Sequence, residues 1–407
     1  MSESSAPPRT LPASIEQACA AAAQLARELP AEEIELVAAS GRTLFADLLA
    51  PADFPAFSSS AMDGWALRAE DSLGPSALCV IGESRAGVAF DGEVTKGKAV
   101  AISTGAELPR GADAVIPLEH ASAEQRALAL RSRVEPGDYV RAAARYAHTA
   151  DKLLEAGAKI GAGEIAMLAA FGFDQVFVRQ KPRVTIVCGG DELLSPGEEQ
   201  RRGAVYDSNT PMLAALLAGA GCEVVWERYA TDSPVAVGAA LERAIAGSDL
   251  AVTCGGVSVG RHDHLPRALE KLDAAPVITG TTARPGLKLR IALAPDDTPV
   301  FCLPGNPLST WFCFQLYVRR HVRAALGAAP PERFESVLVG ELPRAARRTS
   351  LVLGRIAIDG GTARFAPRPC ASDATTEIAG SNAYAIIGPG DTDAPEGSHV
   401  TCESCDG

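Results

Sequence analysis

Aromatic residues are scarce in this 407-residue chain, at 5%, and positive charge falls short of negative, with 38 Lys and Arg against 50 Asp and Glu. A net charge of −12 argues against the broad basic face that nucleic-acid binding demands. A small anionic ligand is still possible, because a metal ion and backbone N–H donors can reverse the local field. No apolar run reaches the roughly 18 residues needed to span a bilayer, so no membrane role is expected. The opening Ser2-Glu-Ser-Ser-Ala-Pro-Pro8 has neither a basic n-region nor an apolar h-region, which makes the cytoplasm the expected location.

A disulfide framework is not expected either. Of the ten cysteines, Cys188, Cys254 and Cys302 sit in apolar strand-like runs and Cys313 in an apolar helix. Such residues behave as small buried hydrophobes. Cys402-Glu-Ser-Cys405 has metal-ligand spacing, but no second CxxC or His pair completes four ligands. It is read as a dispensable tail.

What is present is a set of three glycine turns, each entered from an apolar β-branched run. They are Val184-Thr-Ile-Val-Cys-Gly-Gly-Asp-Glu192, Leu250-Ala-Val-Thr-Cys-Gly-Gly-Val-Ser-Val-Gly260 and Val300-Phe-Cys-Leu-Pro-Gly-Asn-Pro307. Short apolar runs spaced by helix-length segments are the signature of a parallel α/β sheet. Ligands of such sheets bind beyond the carboxyl ends of the strands. Glycine lets the backbone approach an anion and turn its N–H groups inward. Acids follow two of the turns, Asp191 and Glu192 after the first and Asp263 after the second. Oxyanion donors beside carboxylates point to a phosphate-plus-metal site.

The length implies two to four domains. Ser14 can cap a helix through Ile15–Leu29. After the Pro-rich stretch 51–60, short runs at Ala77–Ile81, Lys98–Ser103, Ala112–Pro117 and Ala127–Ser132 read as a small β-rich domain. Leu153–Gly172 returns to helix, and Pro182–Gly327 is the α/β block. Beyond Pro330 the pattern is β again, with a hairpin at Leu351–Pro367.

In order, the chain carries Ser60-Ala-Met-Asp-Gly-Trp-Ala66, Ala101-Ile-Ser-Thr-Gly-Ala106, Gly190-Asp-Glu-Leu193, Val205-Tyr-Asp-Ser-Asn209, Gly255-Gly-Val-Ser-Val-Gly260 and Leu303-Pro-Gly-Asn-Pro-Leu-Ser309. This set resembles the molybdopterin molybdenumtransferase family, from about Ile15 to Gly388. The resemblance implies a multi-domain α/β fold: a central three-layer, molybdopterin-binding-like α/β domain with a helical segment and two β-rich domains. The boundaries expected are 8–50 and 146–181 for the helical domain, 51–145 for the inserted β-rich domain, 182–328 for the α/β domain and 329–407 for the C-terminal β domain. It implies a homodimer that transfers molybdenum from molybdate to the dithiolene of adenylylated molybdopterin with Mg2+, releasing AMP. A molybdopterin adenylyltransferase and molybdoenzymes would be its partners.

Functional positions carried over by the resemblance are Asp63, Thr104, Glu192, Asp232 and Asp263, with Glu192 and Asp263 as Mg2+ ligands by hard oxygen ligation. Ligand contacts are expected from Gly189, Gly190, Asp191, Asp207, Gly255, Gly256, Ser258, Gly260, Arg284, Lys288, Pro304, Gly305, Asn306, Pro307 and Ser309. Simpler readings stand beside these. Asp232, before Ser233-Pro234, could cap a helix, and Asp63-Gly64 could be a turn. His262 and His264 flank Asp263 but read as a surface pair.

The chain also departs from the family pattern. Cys188-Gly189-Gly190 stands where Ser-Thr-Gly is usual, so a hydroxyl is missing. Ala144-Arg145-Tyr146 replaces a Gly-Glu-Asp motif, removing an acid at Tyr146. Arg284-Pro-Gly-Leu-Lys-Leu289 replaces Lys-Pro-Gly-Lys-Pro, so Leu287 holds a lysine's slot and Lys288 is shifted by one, to the opposite face if the segment is a strand. Ser381-Asn-Ala383 stands where Ala-Asn-Gly is common. These departures motivate an alternative: a divergent paralogue that carries molybdopterin or finished cofactor with weak or no insertase activity. An adenylyltransferase is a third reading, disfavoured by the extra β domains.

Overall fold

The computed structural model describes residues 12–74, 77–229, 233–256, 264–345, 348–368, 371, 375–390 and 392–405. The chain divides into two compact units, Ala46–Glu155 with Ala162–Asp174, and the remainder.

The smaller unit is built on a six-stranded mixed sheet in the spatial order Ala114–Pro117, Gly64–Leu67, Lys98–Ile102, Leu78–Ser84, Ala127–Leu130, Ala121–Glu124. Its core is Trp65, Leu67, Leu78, Ala99, Ile116 and Leu128, mostly small or aliphatic side chains, which fits the aromatic-poor composition. The helix expected over Leu153–Gly172 is confined to Ala162–Ala170.

In the larger unit, Ser14 caps the first helix, Ile15–Gln24, through a capping box: its Oγ accepts from Gln17 N at 3.2 Å while Gln17 Oε1 accepts from Ser14 N at 2.9 Å. The central sheet runs Glu223–Tyr229, Arg183–Gly189, Leu250–Cys254, Pro299–Leu303, Arg290–Leu293, Ala275–Ile278. The first four strands are parallel, Arg290–Leu293 runs antiparallel to them, and Ala275–Ile278 pairs antiparallel with Arg290–Leu293. Period-two alternation sends Ile186, Cys188, Val252, Cys254, Phe301 and Leu303 to one face, against helices Ile15–Gln24, Asn209–Gly219 and the long helical run from Pro307 to Ala325. Val187, Ala251, Val300 and Cys302 pack on the other face against helices Pro234–Ala246 and Leu265–Lys271. The result is the expected three-layer α/β domain.

C-terminal to it, strands Thr349–Asp359, Thr362–Pro367, Arg333–Leu338, His399–Ser404 and Ala383–Ile387 close on themselves, because Thr349–Asp359 also pairs with Ala383–Ile387. Closure leaves the barrel no free edge. The hairpin expected over Leu351–Pro367 is its first two strands, joined at Gly360-Gly361 with Asp359 opposite Thr362. Ala283 and Arg284, which precede the last α/β strands, pair in parallel with Thr349 and Ser350 of the barrel.

The tail read as dispensable is a core strand. Glu403 has no exposed side-chain surface and accepts from Arg320, from Arg333 Nε at 2.9 Å and from Tyr384 Oη at 2.5 Å. Arg319 Nη1 donates to Ser404 O at 3.1 Å. Arg319 and Arg320 lie on the helical run from Pro307, so this network fastens the barrel to the α/β domain. Cys402 is buried in the barrel core, and no metal-ligand cluster is found among the described residues. A six-residue strand carries too short a periodic signal to stand out in the sequence.

Glu403→Ala is expected to lower the unfolding free energy by about 3–5 kcal/mol, because it strands the buried Arg320 guanidinium and leaves the Tyr384 hydroxyl without its acceptor. Urea denaturation of the variant checks this. A change below about 1 kcal/mol would show that the network does not fasten the barrel.

Candidate functional site

The parallel register aligns Cys188 with Cys254 and Cys254 with Leu303. The three glycine turns therefore leave the sheet side by side. Gly255 N donates to Leu303 O at 3.1 Å, and a Cβ on Gly305 would lie 3.5 Å from the Gly255 Cα, so the second and third turns touch backbone to backbone. Asn209 Nδ2 donates to Gly305 O at 2.7 Å, tying the next helix to the third turn. Asp207 Oδ1 accepts from Thr210 N at 3.0 Å at the start of that helix.

Two cavities open over these turns, of about 830 and 780 Å3, and both are bordered by Glu192, Gly255, Gly256, Gly305 and Asn306. The larger adds Arg284, Lys288, Pro304 and Ser309 from the α/β domain, and Ser350–Leu353 and Arg368 from the barrel side. The smaller adds Cys188, Gly189, Asp207, Pro307 and Tyr229. Three cationic side chains border this one cavity in a chain of net charge −12. Both cavities are large enough for a small-molecule ligand.

Lys288 borders the larger cavity because residues 287–288 form a turn, so the strand alternation that would have turned it away does not apply. Leu287 borders the same cavity. Arg368 had no sequence signal. It is placed by Glu377, whose carboxylate accepts from Nε at 2.7 Å, and by Gly380 O at 3.1 Å.

The missing hydroxyl at position 189 has a steric cause. A Cβ there would lie 2.3 Å from Tyr229 O and 2.7 Å from the Tyr229 ring, so the neighbouring strand leaves room for glycine alone. Gly190 has φ +147°, and the Glu192 carboxylate folds back over it, to 2.5 Å from a Cβ placed there. The glycine thus clears the space the carboxylate occupies. Asp191 O accepts from Arg201 Nη2 at 2.5 Å, and its side chain is exposed without bordering either cavity.

Asp63 and Thr104 lie in the smaller unit. Asp63 Oδ1 accepts from Thr104 N at 2.6 Å and from Thr104 Oγ1 at 3.0 Å. The Thr104 backbone N–H, then its hydroxyl, hold the Asp63 carboxyl below its usual range. Tyr146, where an acid was expected, is 68% exposed in the same unit. Asp232, Ser258, Gly260, His262 and Asp263 lie outside the described residues. The cap of helix Pro234–Ala246 is Ser233, whose Oγ accepts from Ala236 N at 3.1 Å.

Among the described residues no three His, Cys, Asp or Glu gather as a metal site. Glu192 supplies one exposed carboxylate at the border of both cavities. That suits Mg2+, which keeps several waters and shares its remaining ligands between one or two carboxylates and substrate phosphates.

Known proteins resemble this chain over most of its length. A family model described as the MoeA N-terminal region (domain I and II) matches residues 13–172, and one described as a probable molybdopterin binding domain matches residues 185–324. A molybdopterin molybdenumtransferase of Nostoc sp. is 34% identical over 383 residues, covering 91% of this chain and 87% of that protein. One from Staphylococcus epidermidis is 31% identical over 367 residues, covering 88% and 87%. The crystal structure of a molybdopterin biosynthesis protein, moea, from Pyrococcus horikosii superposes with a TM-score of 0.84 at 27% identity, covering 98% of this chain and all of that one.

Gly189→Thr is expected to destabilise the protein by about 1–3 kcal/mol through overpacking against Tyr229, measured as a lower Tm. Thr104→Val should raise the Asp63 pKa toward the ordinary aspartate value, because a donor to the ionised form is lost. Carboxyl NMR titration reads the shift, and an unchanged value would contradict the assigned hydrogen bond.

Proposed function

The chain belongs to the molybdopterin molybdenumtransferase family, and from that premise we propose that it transfers molybdenum from molybdate to the dithiolene of adenylylated molybdopterin and releases AMP, the last step of molybdenum cofactor biosynthesis. The observation that carries the reading is the larger cavity, where Arg284, Lys288 and Arg368 meet the glycine turns and Glu192. A substrate with two phosphoryl groups and a tetrahedral dianion as co-substrate need this combination of cations and close backbone.

In this reading Gly255, Gly256 and Gly305 admit the phosphoryl groups close to the backbone, where a side chain would intrude. Arg284, Lys288 and Arg368 draw in molybdate and hold it by charge-assisted hydrogen bonds. Ser309, on the helix that follows the third turn, donates to the pterin. Glu192 and Asp263 would hold Mg2+, which when bound offsets the pyrophosphate charge. Asp63, kept ionised by Thr104, positions substrate or water. Homodimerisation, a cytoplasmic location and hand-over among an adenylyltransferase, this protein and molybdoenzymes complete the proposal.

The second reading, a carrier with weak or no insertion, rests on Tyr146 and Leu287, which stand where the family pattern has an acid and a lysine.

The test incubates purified protein with adenylylated molybdopterin, molybdate and Mg2+ and follows AMP. Turnover that vanishes on chelation is expected. Tight binding without AMP release would replace the enzyme reading by the carrier reading. Lys288→Ala should raise the molybdate KM about 10- to 100-fold, the loss of one charge-assisted hydrogen bond. An unaltered KM would remove Lys288 from the site.

A further inference from the structure

Cys188 and Cys254 are neither distant nor independent. They are register partners on adjacent parallel strands, and the alternation of both strands sends their side chains to the same face. Adjacent strands run about 4.8 Å apart, inside the Cα range that a disulfide can bridge. Cys254 Sγ lies 3.5 Å from Pro304 O and 3.6 Å from Thr310 Oγ1, and both thiols border the smaller cavity. The resemblance gives serine, which cannot be oxidised this way, at the position of Cys188. Neither thiol has a role in the proposed transfer.

We propose that Cys188 and Cys254 form a reversible disulfide at the floor of the smaller cavity, making this pair an oxidation site. Hydrogen peroxide, reaching the cavity, is the oxidant class. The Cys188 thiolate attacks one peroxide oxygen, the O–O bond breaks, and a sulfenic acid forms with loss of one water once the thiol proton is counted. The Cys254 sulfur then attacks the Cys188 sulfur, the S–O bond breaks, and the second water leaves with the Cys254 proton. Two sulfurs are each oxidised by one electron and one peroxide is reduced.

The order of events follows from the surroundings. Cys254 Sγ donates its proton to Pro304 O at 3.5 Å, which keeps Cys254 a thiol, and the interaction of the pair lowers Cys188 while that interaction and then burial push Cys254 well above the ordinary range. Cys188 is therefore the attacking thiolate and Cys254 the resolving thiol. Both cysteines border the smaller cavity, so a thiol reductant entering it can reach the bridge and reopen it. Forming it would tie the first turn to the second and take both sulfurs from the Thr310 hydroxyl, which also donates to Pro304 O of the third turn. The inference does not depend on which ligand the cavities take.

Tryptic cleavage isolates the pair, since residues 184–201 hold Cys188 alone and residues 244–261 hold Cys254 alone. The full chain is treated with hydrogen peroxide, remaining thiols are blocked, and peptides are mapped by mass spectrometry without reduction. The expected result is a cross-linked peptide, two hydrogens lighter than the sum of its parts, that dithiothreitol resolves. In Cys254→Ser the sulfenic acid on Cys188 should persist, and its dimedone adduct should rise roughly fivefold or more over the wild type. No cross-link, a Cys188 bridge to any other cysteine, or no rise in the adduct would overturn the proposal.

Discussion

Backbone pairing in one parallel register, through Cys188, Cys254 and Leu303, brings together segments that are far apart in the chain. All three strands are buried on both faces, so a slip of a single residue would send an apolar set to the wrong layer. The turns beyond them inherit that register. Gly255 meets Gly305 backbone to backbone, and both cavities open over the same five residues. The site is thus a consequence of core packing.

The second constraint comes from the chain end. Glu403 is buried among Arg320, Arg333 and Tyr384, and the helix carrying Arg320 begins at the third turn. One ion-pair network therefore places the barrel, and with it Arg368 and Ser350–Leu353, beside the turns. Such a network is more a device of positioning than of net stability, since its members had to be desolvated to form it.

Much of this was legible in the residues. Apolar runs ending in Gly-Gly or Pro-Gly located the three central strands, and Ser14 with Gln17 marked the first helix start. The hairpin at Gly360-Gly361 was equally plain. The larger cavity's cations were legible in part: Arg284 and Lys288 sit near the third turn in sequence, but Arg368 arrives through barrel closure, which no local pattern encodes. The alternation that would turn Lys288 away in a strand does not apply, because residues 287–288 form a turn. Gly189 looked like a loss until the Tyr229 strand beside it showed what occupies the space. The tail was misread because its worth lies in one buried carboxylate whose partners are about 20 to 80 residues away.

The measurement that bears most directly on the account is a crystal structure of the full chain with adenylylated molybdopterin. The account predicts phosphoryl groups against Gly255, Gly256 and Gly305, with Glu192 on the same side and Arg284, Lys288 and Arg368 turned toward the ligand. Nucleotide bound away from the three turns, or those cations directed into solvent with the ligand in place, would contradict it.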